Sequence, residues 1–220
     1  MRALVIGSSG GIGGALVAAL AGQGWQVTGL SRTGNGLDVT DEASVEAALG
    51  ALDAPFQRIL IATGALEIGP HSPEKALRQV TADGMAAQFA LNTIGPALVL
   101  KHALRLLPKD EPAVIAALSA RVGSIGDNRT GGWHSYRAAK AALNQIIRGT
   151  SIELARSHKQ AVCVALHPGT VQTKFTEKYL GKHPAVPPLE AAANLLRVID
   201  SLTAAQTGQF FDWSGSEVPW

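Results

Sequence analysis

Short unbroken apolar runs alternate along this chain with longer stretches of helical period. Ala3–Ile6, Gln26–Leu30, Ile59–Ala62, Ala113–Leu118 and Val162–Leu166 read as buried strands. Gly11–Ala21, Glu42–Leu49, Met85–Leu107, Tyr136–Ser157 and Leu189–Leu202 read as helices. Apolar runs without polar alternation suit a parallel sheet covered on both faces. The strand–helix–strand rhythm makes the crossovers right-handed. The expected fold is therefore α/β: a doubly wound parallel sheet with helices on both faces. A chain of 220 residues fits that architecture as a single domain, residues 1–220. Pro96 interrupts the Met85–Leu107 pattern, which predicts a kink or short break. Residues 174–188 hold three prolines and little periodicity, too long for a plain connector and a candidate substrate lid.

Composition narrows the partners. With 46% hydrophobic and 16% charged residues the chain can bury a sizeable core. Nineteen basic against 17 acidic residues leave a net charge of +2, without the basic footprint that nucleic-acid binding needs. The one cysteine, Cys163, cannot form an internal disulfide, which fits a reducing compartment. It lies in the apolar run Ala161–Leu166 and reads as a packed strand residue. The apolar start breaks at Gly7, so no signal peptide is read, and no apolar run is long enough for a bilayer. A cytoplasmic protein without a membrane partner is expected. No His/Cys/Asp/Glu cluster has metal-ligand spacing, so no metal is expected.

The first strand runs into Gly7-Ser8-Ser9-Gly10-Gly11-Ile12-Gly13-Gly14, and a helix follows. Gly7 permits the tight turn, Gly11 keeps the backbone bare for a diphosphate, and Gly13 lets helix and strand pack closely. The helix N-terminus offers free N–H groups and a positive dipole end to phosphate. The spacing is G-x-x-x-G-x-G rather than G-x-G-x-x-G, but its place on the first strand–helix junction points to a dinucleotide. The second strand ends at Ser31-Arg32, where an NAD site of this kind commonly carries an acid for the ribose hydroxyls. Arg32 can instead pair with a 2′-phosphate and Ser31 leaves room for it, so NADP (NADPH) is expected over NAD. Asp38-Val39 precedes the Glu42–Leu49 helix; Asp38 can cap a turn or accept from an adenine amino group.

Tyr136 and Lys140 lie four apart and so share one helical face. A free tyrosine titrates near pKa ~10, and a neighbouring cation lowers that value. Lys140 can supply the cation while reaching the cofactor ribose. Tyr136 then exchanges a proton with a carbonyl oxygen.

At this point the chain resembles the short-chain dehydrogenase/reductase family over nearly its whole length, most closely the C-factor-like and carbonyl-reductase-like branch. The resemblance is carried by Gly7–Gly13, Asp38-Val39, Asn92 in Phe89-Ala90-Leu91-Asn92-Thr93-Ile94-Gly95, Gly131–Tyr136 with Lys140, and Pro168-Gly169-Thr170-Val171-Gln172-Thr173. It implies a Rossmann-like sheet of about seven strands in the order 3-2-1-4-5-6-7 and an NAD(P)-dependent redox step. It also implies a Ser–Tyr–Lys centre with Asn92 holding a water near the lysine. Ser9, Ile12, Ala62, Thr63, Gly64 and Pro168 would line the cofactor, Val171 would meet the nicotinamide carboxamide, and Thr173 would lie nearby. Association into a homodimer or homotetramer through the helices at Met85–Leu107 and Tyr136–Ser157 is likewise implied.

Two departures stand out. The family's Ser-Ser-x-x-Gly reads Ser119-Ala120-Arg121-Val122-Gly123, so Ala120 occupies the place of the usual catalytic serine; Ser119 or Ser124 could substitute. The family's Asn-Asn-Ala-Gly reads Ile61-Ala62-Thr63-Gly64. The expected activity is NADP-dependent reduction of a small carbonyl compound, or oxidation of the alcohol. The alternative, motivated by Ala120, is a dinucleotide-binding sensor or signalling protein with weak or no turnover. His134 and His167 fall near the site, and Trp213 and Trp220 read as tail packing or a subunit contact.

Overall fold

The computed structural model describes residues 1–53, 55–179 and 184–220. Its centre is a parallel sheet of six strands, β1 (Arg2–Ile6), β2 (Gln26–Leu30), β3 (Arg58–Ile61), β4 (Ala113–Leu118), β5 (Ala161–His167) and β6 (Phe210–Asp212), in the order β2-β1-β3-β4-β5-β6. The helices are α1 (Gly11–Gly22), α2 (Arg32–Asn35), α3 (Glu42–Gly50), α4 (Ala82–Phe89), α5 (Gly95–Ala103), α6 (His134–Ser157) and α7 (Pro188–Ser201).

Alternation along each strand divides the core in two. Leu4, Ile59, Ile115 and Cys163 face the layer of α3, α5 and α6, with Val45, Val99, Leu143 and Ile147. Ala3, Val5, Leu60 and Val164 face α1 and α7, with Leu16, Leu20, Leu195 and Ile199. Full burial of each Leu, Ile or Val among them stabilises the fold by about 1.5–3 kcal/mol, and both faces are filled, as the unalternating strands imply. Cys163 is a buried free thiol, and burial pushes its pKa up to about 12.

The sheet follows the implied order without its outermost strand. Only Ser31–Leu37 separate β2 from Asp38, and that stretch is spent on the short turn α2, capped by Ser31 Oγ, which accepts from the Gly34 N–H at 3.1 Å. The opposite edge gains β6, which the sequence reading left as tail. It is three residues long, too short to show a period. It is held by β5 on one side and by the returning tail on the other, where the Val218 N–H donates to the Phe210 carbonyl at 2.8 Å. Trp220 stacks on Phe210 at 5.8 Å and so packs the tail, whereas Trp213 lies against Gly169 in the loop after β5; both rings keep an exposed side.

The break expected at Pro96 takes the form of one π-helical turn, Ala90–Ile94, between α4 and α5. Proline has no N–H to close the α-helical bond back to the Asn92 carbonyl, and π-turns recur at functional sites. Among the described residues no helix is long and apolar enough to cross a membrane.

Candidate active site

A cleft of about 810 Å³ opens at the carboxyl ends of β1, β3, β4 and β5. This is where ligands bind in open α/β sheets. It brings together Ser9, Gly11, Ile12, Ala62, Thr63, Gly64, Ser119, Tyr136, Lys140, Pro168, Gly169, Val171 and Thr173, all named from sequence. Gly7 and Gly13 shape the loop from behind. Gly7 has φ +87° and packs on Ala62, and a Cβ on Gly13 would run into the Gly7 carbonyl. The first turn of α1 carries no acidic residue, leaving its free N–H groups and dipole open to an anion at Ser9–Ile12. The Thr63 hydroxyl is buried without a partner on the cleft wall, a donor that an oxygen-rich cofactor would satisfy. These features fit a dinucleotide.

Arg32, Asp38 and Val39 lie outside that lining, on the stretch that follows β2. The Leu30 carbonyl at the end of β2 accepts from both Gly7 (2.8 Å) and Ser8 (3.2 Å) N–H groups. Arg32 is exposed. Asp38 Oδ1 accepts from the Thr40 N–H at 2.9 Å and the Thr40 hydroxyl at 2.7 Å, so the turn-capping role is the one its geometry carries. Those two bonds, and then the nearby Arg32 charge, hold its carboxyl below the usual value. Val39 is buried against Gly95.

Tyr136 and Lys140 stand on one face of α6, both buried. Lys140 Nζ donates to the Leu118 carbonyl at 3.0 Å and lies 5.9 Å from the Tyr136 ring centre. Gly123 lets the loop after β4 press on the helix at Lys140, and Gly64, at φ +144°, sits between Asn92 Oδ1 and Lys140 Nζ. The electrostatics depart from the sequence expectation. Burial raises the Tyr136 pKa above its ordinary value, and burial lowers that of Lys140 to about 7. Desolvation by burial governs both groups, and it opposes the help a lysine cation gives a phenolate.

The Asn92 amide is fully engaged. Its Oδ1 accepts from the Ala65 N–H at 3.2 Å, and its Nδ2 donates to the Ala65 carbonyl at 2.9 Å and to Gln88 Oε1 at 2.7 Å. The side chain therefore clamps the loop after β3.

Neither candidate serine offers a free hydroxyl. Ser119 Oγ donates to Asn144 Oδ1 at 2.6 Å, because it points into α6 as the alternate neighbour of Ala120 on an extended strand. Ser124 Oγ donates to the Pro219 carbonyl and accepts from the Asp127 N–H at 3.1 Å. Ala120 itself lines the cleft. His167 also lines it, with Nδ1 buried and unpartnered. Burial lowers its pKa to about 4, against the pull of Asp212 and with the help of Arg121, so the ring is neutral. His134 opens α6 but is not on the cleft wall.

Three acidic or amide groups escaped the sequence reading. Gln88 is buried and donates to the Leu66 carbonyl at 2.8 Å while fixing Asn92. Glu74 caps the start of α6 by accepting from the Ser135 N–H (3.2 Å) and hydroxyl. Burial raises its pKa, but these bonds outweigh that and leave it lowered. Glu67 accepts from Lys178 Nζ at 2.6 Å and the Tyr179 hydroxyl at 3.0 Å, tying the loop after β3 to the segment beyond Thr173. The partners of Glu74 and Glu67 are distant in sequence, so no spacing could have signalled them, whereas Gln88 stands four residues before Asn92, a helical spacing that could have paired the two. Beyond the sheet, an isolated parallel bridge pairs Val171 with Val186, where backbone bonds join the two. Residues 174–179 carry four cleft-lining side chains, and 180–183 of the lid expected at 174–188 lie outside the described residues.

Comparison with known proteins agrees with this geometry. The family model described as enoyl-(acyl carrier protein) reductase matches residues 30–211. C-signal of Myxococcus xanthus is 38% identical over 145 residues, 66% of this chain and 84% of that one. The 1-hydroxy-2-glutathionyl-2-methyl-3-butene dehydrogenase of Rhodococcus sp. (strain AD45) is 32% identical over 191 residues, 84% of this chain and 79% of that one. A short-chain dehydrogenase/reductase of Burkholderia multivorans, solved with NADP bound, superposes with a TM-score of 0.84 at 25% identity, covering 100% of this chain and 99% of that one. The NADPH-bound carbonyl reductase from chicken fatty liver shares the fold at TM-score 0.83 and 23% identity, over 100% and 94% of the two chains. With its glycine loop, its buried tyrosine and lysine on one helix and a family match over most of its length, the chain belongs to the short-chain dehydrogenase/reductase family of oxidoreductases.

Proposed function

We propose that the protein is an NADPH-dependent carbonyl reductase, working in reverse as an alcohol dehydrogenase. The observation that carries this reading is the meeting of Tyr136, Lys140 and the α1 N-terminus in one cleft. The reduced nicotinamide, when bound, supplies the hydride. Tyr136 keeps its proton at neutral pH because burial raises its pKa. It is thus set to give that proton to the carbonyl oxygen as negative charge develops there, and the product is the alcohol. Lys140, held by the Leu118 carbonyl, binds the ribose and stabilises the phenolate left on Tyr136. Asn92 holds the loop after β3 and offers its backbone carbonyl to a water beside Lys140. Gly7, Ser9, Gly11, Ile12 and Gly13 receive the diphosphate; Ala62, Thr63 and Gly64 border the ribose; Pro168, Gly169, Val171 and Thr173 border the nicotinamide. Residues 174–188 act as the lid. NADPH oxidation against a panel of aldehydes, ketones and quinones tests the reading, which falls if none is reduced.

Arg32 selects the cofactor. Its exposed guanidinium, two residues beyond the Leu30 carbonyl that holds the glycine loop, can pair bidentately with a 2′-phosphate, a contact of about 1.5–3 kcal/mol, roughly ten- to a hundredfold in affinity. Arg32→Ala is expected to weaken NADPH by that factor and leave NADH nearly unchanged. Titration of both cofactors against both proteins checks it, and a variant that keeps the wild-type preference removes Arg32 as selector.

A second reading is favoured by one observation: Ala120 faces the cleft while the Ser119 and Ser124 hydroxyls are engaged elsewhere. Under it the chain binds NADP tightly and signals without turnover, and the named similarity to C-signal supports it. Tight NADP binding by fluorescence with no turnover on a broad substrate panel favours this reading over the enzyme. Turnover restored in Ala120→Ser points instead to a decayed enzyme, since the added hydroxyl supplies a donor for the carbonyl oxygen. Ile94, Ile146 and Ile152 remain exposed on the long helices, which supports self-association into a dimer or tetramer, measurable by sedimentation.

A further inference from the structure

Among the described residues Trp133 is the one non-glycine residue with positive φ, at φ 51° and ψ 40°. Left-handed backbone is unfavourable for an L side chain, and it persists where the surroundings over-determine it, often at ligand clamps. Here the Trp133 N–H donates to the Glu74 carbonyl at 2.5 Å. The indole stands edge-on to Tyr136, with ring centres 6.3 Å apart, and edge-on to Tyr179 at 5.4 Å. Phe175, 38% exposed, is tilted towards Tyr136 at 6.3 Å. Tyr179 is held in turn by Glu67. All four rings border the cleft, and Leu66 and Val122 complete an apolar wall.

This wall surrounds a proton donor that works without the usual second hydroxyl. Ala120 has none, and the Ser119 hydroxyl is turned to Asn144. A carbonyl oxygen held by Tyr136 alone is free to swing about that single bond. Packing of the rest of the substrate must then fix its orientation, and aromatic rings do so through the directional preference of edge-to-face and offset contacts. A saturated ring of equal size buries similar area but lacks that preference.

We infer that the substrate end of the cleft is an aromatic box that selects carbonyl compounds bearing a planar ring next to the carbonyl, with Trp133 and Phe175 as its specificity-determining residues. The inference rests on the oxidoreductase reading for the carbonyl group and on the ring geometry for the rest. Each aromatic contact is worth roughly 2- to 12-fold beyond buried area, so two give a preference of about tenfold or more.

The test uses the full chain and a matched pair of probes, acetophenone and cyclohexyl methyl ketone. Binding is measured calorimetrically with NADP⁺ present, and kcat/KM with NADPH. Acetophenone is expected to exceed its saturated partner by about tenfold in both measurements. Trp133→Leu and Phe175→Leu should each bring the ratio towards one, while Trp133→Phe keeps most of it. Phe175 is exposed, so its variant reports on the box even where Trp133→Leu fails to fold. A wild-type ratio near one, or a ratio that survives both leucine changes, overturns the box. Equal reduction of both ketones sinks the box and leaves the oxidoreductase reading intact. Selective acetophenone binding without NADPH oxidation upholds the box and sinks that reading.

Discussion

Tyr136→Phe is expected to lower NADPH-dependent carbonyl reduction by about 10²–10⁴-fold, the range spanned by removal of a positioned general acid. The ring contacts with Trp133 and Phe175 need no hydroxyl, so the variant keeps the walls of the cleft. NADPH affinity should change by no more than about tenfold, the worth of one hydrogen bond. Stopped turnover with retained cofactor binding is therefore the signature, measured by single-turnover NADPH oxidation and by cofactor titration on the same sample. Reduction that survives the change would remove Tyr136 as the proton donor. The pH profile adds a second check. Burial keeps Tyr136 protonated through the neutral range, so its own titration does not limit reduction there. Lys140 loses its charge as pH rises through about 7 in the unliganded protein. Because kcat/KM reports groups of the free enzyme, it should fall on the alkaline side of that value, and a profile flat from about pH 6 to pH 9 would contradict the role given to Lys140.

Lys140→Met should abolish turnover and yet make the unliganded protein more stable at neutral pH. Folded Lys140 titrates near 7, unfolded lysine near ~10.4. Between those values the unfolded chain holds the extra proton, so stability rises with pH across that window. The cost of burying the amine is fully present below about pH 7 and fades towards pH 10, at about 1.4 kcal/mol per unit of displacement. Loss of the bond to the Leu118 carbonyl returns about 1 kcal/mol. The net is a gain of several degrees in Tm at pH 7, since about 1 kcal/mol moves a domain of this size by roughly 2–4 °C. The difference between the two proteins should close as pH approaches 10. Scanning calorimetry of both proteins at a series of pH values measures it. A variant that melts below wild type at pH 7 would show that the buried lysine is not held at a cost. Such a trade of stability for function is common at active sites.

Both expectations turn on groups that the sequence named and whose state only the fold fixed. The four-residue spacing of Tyr136 and Lys140 put them on one helical face, and the glycine loop placed a cofactor beside them, because both are properties of a local backbone period. What that spacing could not convey was burial. The sequence reading had the lysine cation lowering the tyrosine pKa. In the structure desolvation, supplied by strands and loops far along the chain, acts the other way on both groups.

The serines divide in the same manner. The absence of a hydroxyl at Ala120 was legible, but its consequence was not. On an extended strand neighbouring side chains point to opposite faces, and tertiary contacts then bound Ser119 to Asn144 and Ser124 to Pro219. Asn92 was named for a water. The fold engages its amide with Ala65 and Gln88.

Read alone, the sequence determined five of the six strands, the two-sided core, the order of the longer helices and the place of the glycine loop, since apolar period and glycine placement act over a few residues. Only the tertiary structure decided the number of strands: an edge strand needs room that Ser31–Leu37 do not provide, and β6 is three residues held by its neighbours. It alone also decided the Glu74 cap on α6 and the Glu67 tie across the cleft, whose partners stand 61 residues and more than 100 residues away. Contacts of that span are fixed by how the layers pack, and no local pattern records them.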